Sequence, residues 1–323
     1  MEAAKTSQAW QDVQLSALKG KDVLRIDEFS AAELEGLLHS AIQLKQWQKS
    51  GKAYQPLQGK TLGMIFDKSS TRTRVSFEVG MYQLGGMAMF LSGKDLQLGR
   101  GEPISDTAQV LSRYVDGIMI RTYAHEDVET LAHYADIPII NGLTDLFHPC
   151  QALADMLTIL EHKGRLKGVK LAYIGDGNNV ANSLVLAAAL LGVDVRVATP
   201  PGYEVVEAIQ QSAKTYAAAS GSRLLFTHDP QQAVAGADVV YTDVWTSMGF
   251  EAENEQRLKA FAGYQVNEQL VRHADPAYLF MHCLPAHRGE EVTAGVIDGP
   301  NSVVFDQAEN RLHAQKAILA AVL

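Results

Sequence analysis

Short apolar segments alternate with amphipathic helical segments along this chain, and the alternation comes in two successive blocks. The apolar segments of the first block are TLGMIF at 61–66, GIMIR at 117–121 and IPIIN at 137–141. Those of the second block are VKLAYIG at 169–175, DVRVAT at 194–199 and DVVYTDVW at 238–245. Buried strands that alternate with helices form parallel sheets with helices on both faces. The pattern therefore predicts an α/β fold with two doubly wound parallel sheets.

The two blocks are separated by a helical segment, HPCQALADMLTILEH, at 148–162. Because 323 residues exceed the size of one ordinary domain, we expect two domains with a boundary at 147–168. Two late segments, AYLFMHCLP at 277–285 and SVVFDQ at 302–307, are apolar enough to predict further strands. The last segment, NRLHAQKAILAAVL, predicts a closing helix.

Composition and charge exclude several classes of protein. The net charge of -9 argues against broad binding to nucleic acid. The longest apolar runs are too short to span a bilayer, so no membrane association is expected. The first residues lack the pattern of a secretory signal, and two cysteines, Cys150 and Cys283, make no disulfide framework. These features favour a cytoplasmic enzyme or binding protein.

A polar turn follows the first apolar segment, in DKSSTRTRVSFE at 67–78. The start of a helix leaves backbone N–H groups free and favours negative charge, and an arginine can grip a phosphate or carboxylate through two nitrogens. The side chains in this turn that can donate to an anion are Ser70, Thr71, Arg72 and Thr73. A capped helix with solvated arginines is the simpler alternative. The turn is not a Walker A loop, because its glycines and Lys-Ser/Thr ending are missing.

Two further groups follow predicted elements of the first block. Arg121 ends GIMIR and could bring a second cation to the same anion, although a lone arginine is usually a surface residue. His148 and Gln151 lie in FHPCQ, at the start of a predicted helix. His148 could donate to a developing oxyanion, and Gln151 could bind an amide. A histidine that only caps or packs is the alternative.

The segment IGDGNNV at 174–180 resembles the glycine-rich turn of dinucleotide-binding proteins. Gly175 and Gly177 fit that turn, but Val180 stands where a third glycine belongs. The next predicted strand ends without an acidic residue for a ribose, so a nicotinamide cofactor is not expected. Asn179, near the start of the helix, could hold a carboxylate or serve only as a cap.

The second block ends in DVWTSMG at 243–249 and MHCLPAHRGEE at 281–291. Asp243 could pair with a cationic amine, and Cys283 could orient an amine or be a small buried hydrophobic residue. Zinc binding by the cysteines and histidines is not favoured, because no C-x-x-C or H-E-x-x-H spacing occurs. Neighbours His282 and Cys283 on a strand would also point to opposite faces.

These motifs carry a family resemblance. The segments SSTRTR, FHPCQ, DVWTSMG and HCLPAHRGEEV stand in the order and spacing of the carbamoyltransferases, and the last two resemble the ornithine branch. The resemblance covers nearly the whole chain. It implies transfer of the carbamoyl group of carbamoyl phosphate to L-ornithine, giving L-citrulline and phosphate, without cofactor or metal. It also implies a homotrimer.

The resemblance assigns roles to residues. It implies that carbamoyl phosphate is bound by Ser70, Thr71, Arg72, Thr73, Gln97, Arg121, His148, Gln151, Cys283, Leu284 and Arg311. It implies that ornithine is bound by Asn179, Asp243, Ser247, Met248, Cys283 and Leu284, with Arg121, His148 and Cys283 catalytic. Gln97 matches a position that reaches the neighbouring subunit's site. The implied domains are 1–147 with the helix 309–323 for carbamoyl phosphate, and 148–308 for ornithine.

Three alternatives stay open at this point. Another amine, such as putrescine or acetylornithine, could be the acceptor, although Asp243 needs a free α-amine to pair with. A dehydrogenase would rest on IGDGNNV alone. A non-catalytic binding protein would have to keep every proposed ligand and yet lack turnover.

Overall fold

The computed structural model describes residues 17–96, 101–246 and 251–323. The chain divides into two compact units. The first unit ends at Leu157 and resumes with Asn310–Leu323, and the second unit is Thr158–Glu309. Both divisions fall inside helices, so two helices begin in one unit and end in the other.

The first unit contains a four-stranded parallel sheet with the strand order β2-β1-β3-β4. Its elements in chain order are α1 Ala31–Lys49, β1 Thr61–Phe66, α2 Thr71–Gln83, β2 Met87–Ser92, α3 Ile104–Leu111, β3 Gly117–Arg121, α4 His125–Tyr134, β4 Ile139–Leu143 and the start of α5 Pro149–Lys163. The strands β1 and β3 are buried along nearly their whole length, as expected for central strands between two helical layers.

The second unit contains a five-stranded parallel sheet with the strand order β7-β6-β5-β8-β9. Its elements are β5 Lys170–Ile174, α6 Asn179–Leu190, β6 Asp194–Ala198, α7 Glu207–Ser220, β7 Leu224–Thr227, α8 Pro230–Val234, β8 Val239–Thr242, α9 Asn254–Ala260, β9 Leu279–His282, α10 Ala294–Ile297 and the start of α11 Val304–Val322. Two doubly wound parallel sheets confirm the predicted fold class.

The prediction of a strand at 302–307 is wrong. Ser302 makes only an isolated bridge to Phe280, and α11 begins at Val304. The buried residues Val304, Gln307 and Arg311 recur at helical spacing, so this run of apolar residues is the first turn of a helix face rather than a strand.

One strand of the first unit, β2, was not predicted. Its side chains are mostly exposed or half-buried, so it carries no pattern of alternating burial that the sequence could reveal. It nevertheless pairs in parallel with β1, from Thr61 opposite Met87 to Phe66 opposite Ser92. Within the described ranges, none of the helices combines the length and the apolar composition needed to cross a membrane.

Candidate active-site residues of the two units

The order of strands reverses between β1 and β3 in the first sheet, and ligands of open parallel sheets bind beyond the strand ends at such a point. Phe66, which ends β1, lies opposite Arg121, which ends β3. The polar turn leaves β1 there, and the backbone N–H groups of Asp67 and Lys68 donate to the carbonyl of Arg121, at 2.9 and 3.3 Å. The predicted turn and Arg121 are therefore brought together.

Of the four donor side chains in the polar turn, only Ser70 caps the helix that follows. Ser70 is the N-cap of α2, and its hydroxyl accepts from the backbone N–H of Thr73 at 3.2 Å. Thr71 is exposed, Arg72 is half-buried and Thr73 is buried. The cap thus uses one hydroxyl, and the other side chains of the turn are not required for it.

Arg74 has the structural role expected of a surface arginine. Its Nε donates to Glu78 Oε1 at 2.9 Å, one helical turn away, and its guanidinium lies 3.9 Å from the centre of the Phe90 ring. The two arginines of the turn are thereby distinguished by their surroundings.

A buried chain of hydrogen bonds joins three of the predicted residues in the first unit. Arg311 Nη1 donates to Gln151 Oε1 at 2.6 Å, and Arg311 Nη2 lies 3.5 Å from Thr73 Oγ1. Gln151 Nε2 donates to Asp155 Oδ1 at 2.8 Å. These bonds fix which way the amide of Gln151 points. Residues far apart in the sequence are therefore assembled around the start of α2.

His148 is buried among cations. Burial lowers its pKa well below the usual value, and the charges of Arg311, Arg121 and Arg72 lower it further. The imidazole is therefore neutral at physiological pH and carries a single ring N–H. A neutral donor beside three guanidinium groups is suited to a phosphate and to an oxygen that gains negative charge.

The sequence did not indicate an ion pair in the first unit, between Lys68 and Asp145. Lys68 Nζ donates to Asp145 and lies 4.3 Å from the centre of the Tyr123 ring. Asp145 precedes His148 by three residues, so this ion pair links the polar turn to the segment that carries the histidine. The lysine at the start of DKSSTRTR was the available signal, but its partner lies too far along the chain to infer.

In the second sheet the strand order reverses between β5 and β8. Asn178 joins these two strand ends, and it also takes the capping role that was the alternative for Asn179. Asn178 is the N-cap of α6, and its Oδ1 accepts from the N–H groups of Val180 and Ala181. Its Nδ2 donates to Asp243 Oδ2 at 2.8 Å. Asn179 is the first residue of the helix itself.

Asp243 is a buried carboxylate held by three donors. Besides Asn178, its Oδ1 accepts from the backbone N–H of Val244 at 2.8 Å and from the thiol of Cys283 at 3.0 Å. The structure thus brings the predicted Asp243 and Cys283 into direct contact. A carboxylate in such a place can accept a further donor from a cationic amine.

Leu284 follows Cys283 in a left-handed conformation with a φ of 58°. Residues other than glycine rarely adopt this backbone region. Its backbone N–H donates to His282 Nδ1 at 2.8 Å. Backbone strain at a predicted ligand position is typical of functional sites, where the surrounding bonds hold it.

The argument that His282 and Cys283 face opposite sides of a strand is wrong, because β9 ends at His282. Ligand atoms of Asp243, His282 and Cys283 lie within 4.8 Å of one another. Protein hydrogen bonds already explain this arrangement. Both ring nitrogens of His282 have partners, and the thiol donates to Asp243. A site without metal therefore stays the prediction.

The glycine-rich turn has a structural explanation. The N–H of Gly177 donates to the carbonyl of Tyr203 at 2.9 Å, and a Cβ at Gly177 would overlap the backbone of Glu204 and Val205. Gly177 thus lets another part of the chain's own backbone approach closely. This contact accounts for the glycine without a bound dinucleotide.

A second unpredicted residue supports this end of the sheet. Arg257, in α9, pairs with Asp176 at 2.7 Å and donates to the carbonyl of Trp245 at 3.0 Å. It therefore joins the turn after β5 to the segment after β8. Three predicted residues, Gln97, Ser247 and Met248, lie outside the described residues.

Comparison with known proteins gives matches along both units. A family model described as aspartate/ornithine carbamoyltransferase, carbamoyl-P binding domain, matches residues 21–161. A second, described as aspartate/ornithine carbamoyltransferase, Asp/Orn binding domain, matches residues 167–322.

Individual relatives are similar over nearly the whole chain. The ornithine carbamoyltransferase of Anoxybacillus flavithermus is 63% identical over 306 residues, which cover 95% of this chain and 98% of that protein. That of Bacillus subtilis is 63% identical over 312 residues, with 96% of each covered. The solved structure of ornithine carbamoyltransferase from Pyrococcus furiosus matches with a TM-score of 0.92 and 62% identity, covering 94% of this chain and 97% of that one.

Proposed function

The chain belongs to the aspartate/ornithine carbamoyltransferase family, and from this premise we propose how its residues divide the work of the reaction. It is a transferase that moves the carbamoyl group of carbamoyl phosphate to the side-chain amine of L-ornithine, giving L-citrulline and phosphate. The domain 1–147 with 309–323 binds carbamoyl phosphate in this proposal, and the domain 148–308 binds ornithine.

The phosphate is bound by the polar turn at the start of α2. Ser70, Thr71, Arg72 and Thr73 supply hydroxyl, guanidinium and backbone donors where the helix dipole favours an anion. The proximity of Arg311 to Thr73, and of Arg121 to the start of the turn, supports further cations at the same place. Together they stabilise phosphate as the leaving group.

The carbamoyl group is oriented by Gln151 and polarised by His148 and Arg121. The amine attacks the carbonyl carbon, so a carbon–nitrogen bond forms while negative charge builds on the carbonyl oxygen. The neutral imidazole of His148 can donate its N–H to that oxygen. Collapse of this intermediate breaks the bond between carbon and the phosphate oxygen, and the amine nitrogen loses a proton.

The proposed binding of ornithine rests on one observation, the contact of the buried Asp243 carboxylate with Cys283. Asp243 pairs with the α-ammonium, and Cys283 and Leu284 hold the side-chain amine, which must be neutral to attack although alkyl ammonium groups have a pKa of ~10. Asn179, Ser247 and Met248 complete the ornithine ligands in this proposal, and no cofactor or metal takes part.

The test is product formation with a panel of amines. Citrulline from L-ornithine, with equimolar release of phosphate, is the expected result. Acetylornithine has no free α-amine for Asp243, and putrescine has no α-carboxylate, so both should react far more slowly. A faster rate with acetylornithine would reject the proposed role of Asp243, and a faster rate with putrescine would reject L-ornithine as the acceptor.

We also propose a homotrimer located in the cytoplasm. The edge strand β2 and the neighbouring α2 expose apolar side chains, with Tyr82 at 78%, Met87 at 54% and Val75 at 50% exposure. An apolar surface beside a sheet edge is suited to contact with another copy. Gln97 would then serve a neighbouring subunit's site. The mass in solution, measured by light scattering, tests the trimer.

A further inference from the structure

The imidazole of His282 is fully buried and bonded through both nitrogens. The backbone N–H of Leu284 donates to Nδ1 at 2.8 Å, and Nε2 lies 3.0 Å from Glu291 Oε1. A backbone N–H can only donate, so Nδ1 must carry a lone pair and Nε2 must carry the proton. His282 is therefore held as one tautomer, which donates to the carboxylate of Glu291.

Glu291 also anchors the far end of the segment 283–286, which follows His282. Its Oε1 also accepts from the backbone N–H of His287 at 2.6 Å, and its side chain has no exposed surface. One buried carboxylate oxygen thus ties His282, before the segment 283–286, to His287, directly after it. The segment between these two anchors contains Cys283 and Leu284.

Leu284 is the strained residue of that segment. Its left-handed backbone, with a φ of 58°, is disfavoured for a residue with a branched side chain. The bond from its N–H to His282 Nδ1 offsets this cost, because that bond is made only while the segment keeps this conformation.

We propose that His282 and Glu291 are positioning residues for the transfer reaction. Glu291 selects the tautomer of His282, and His282 holds the backbone of Leu284 so that Cys283 and Leu284 face the attacking amine. This inference rests on the proposed function, which assigns those two residues to the side-chain amine of ornithine. Neither His282 nor Glu291 touches a substrate in this scheme.

Two substitutions of His282 separate the two bonds. The amide of Asn can place its oxygen where Nδ1 stands, so His282→Asn keeps the acceptor for Leu284 and loses the donor to Glu291. The longer Gln reaches the position of Nε2, so His282→Gln keeps the bond to Glu291 and loses the acceptor for Leu284.

The two variants should rank in opposite orders for the loss of kcat and for the loss of Tm. His282→Gln is expected to lower kcat about tenfold, as for one lost hydrogen bond that holds reacting groups, while His282→Asn lowers it less than about threefold. His282→Asn should lower the Tm more, because it removes a partner from a buried carboxylate. The dissociation constant of carbamoyl phosphate should stay within about twofold of the parent in both variants.

The control is His228, an exposed histidine of the same unit whose Nδ1 also hydrogen bonds to a backbone group, the carbonyl of Thr199, at 2.7 Å. His228→Asn and His228→Gln should match the parent in kcat. A direct readout is the ¹⁵N spectrum of the histidine side chains, in which the signals lost in His282→Asn should be those of a ring protonated only at Nε2.

The proposal is overturned if the two His282 variants lose kcat equally, or if kcat and Tm fall in the same order. It is also overturned if the lost ¹⁵N signals belong to a ring protonated at Nδ1. Failure of the proposed function would look different, because the parent protein itself would then make no citrulline from ornithine.

Discussion

The thiol of Cys283 donates a hydrogen bond to Asp243 Oδ1 across 3.0 Å, although the two residues lie 40 positions apart in the chain. Asp243 Oδ2 accepts from Asn178, whose own oxygen is committed to capping α6. The carboxylate thus accepts from a thiol, a backbone N–H and an amide NH2 group, and Asn178 cannot rotate its amide without losing the cap.

Asp243→Asn should therefore weaken ornithine binding. The new amide removes the negative charge that we expect to pair with the α-ammonium, and its NH2 group would face a donor, either Asn178 or the Cys283 and Val244 pair. We expect the KM for ornithine to rise tenfold to about a hundredfold, as for loss of a charge-assisted hydrogen bond. Steady-state kinetics would measure this, with carbamoyl phosphate affinity as the internal control. An unchanged KM would exclude the proposed pairing.

The two arginines of the polar turn provide a matched pair. Arg72→Ala should weaken carbamoyl phosphate binding roughly a hundredfold, because a cation is removed from the phosphate site. Arg74→Ala should change it less than about threefold, since Arg74 pairs with Glu78 on a partly exposed helix surface. Calorimetric titration of carbamoyl phosphate distinguishes them. Equal effects of the two substitutions would contradict the assignment.

Much of this arrangement is predictable because parallel sheets place the ends of their strands at one edge. Arg121 and Asp243 were expected at strand ends, and both lie where the strand order reverses. The motifs themselves indicated His148, Gln151 and Cys283. Such residues can be found because a local pattern, strand then polar group, carries the information.

Pairings between distant segments carried no such signal. Neither the bond of His282 with Glu291 nor that of Lys68 with Asp145 follows from spacing or periodicity, since each depends on how loops fold back. The sequence also did not indicate that Asn178, rather than Asn179, caps α6. Two adjacent asparagines can each cap a helix, and only the backbone conformation decides which one does.

His148 should make stability depend on pH in acid. Its pKa in the folded protein lies well below the usual value because of burial and three arginines. Below pH ~6.5 the unfolded chain binds a proton at this residue and the folded protein does not, so stability falls as pH falls. The contribution is at most about 1.4 kcal/mol for each pH unit.

The measurement is the denaturant midpoint between pH 7.5 and 5.5 for the parent, His148→Asn and the control His133→Asn, whose histidine is exposed. The loss of stability on acidification should be smaller in His148→Asn than in the other two proteins. Identical slopes for all three would show that His148 titrates normally in the folded state.

Gly177→Ala should disturb the turn that carries Asn178. The added Cβ would overlap the backbone of Glu204 and Val205, which cannot yield as a flexible side chain can. We expect a loss of about 1–3 kcal/mol in the free energy of unfolding and a higher KM for ornithine. Gly263→Ala is the control, because a Cβ there meets nothing within 4 Å. If both variants unfold at the same temperature, the close approach at Gly177 is not needed.

Lys316 should destabilise the first unit at neutral pH. The residue is buried, its ammonium donates to the amide oxygens of Gln48 and Gln83, and burial lowers its pKa to about 8. The unfolded chain holds this proton more tightly, so stability rises as pH increases from about 8 towards 10.5. At neutral pH the buried charge therefore lowers the stability of the folded protein.

Lys316→Met removes that cost and leaves two amide oxygens without this donor, which offsets part of the gain. The variant should therefore be more stable than the parent at pH 7, and the difference should shrink as the pH approaches 10, where the parent loses its charge. Denaturant midpoints at both pH values measure this, with Lys19→Met as the control at an exposed lysine. A difference that stays constant with pH would mean that Lys316 keeps its proton throughout this range, and burial would then not lower its pKa.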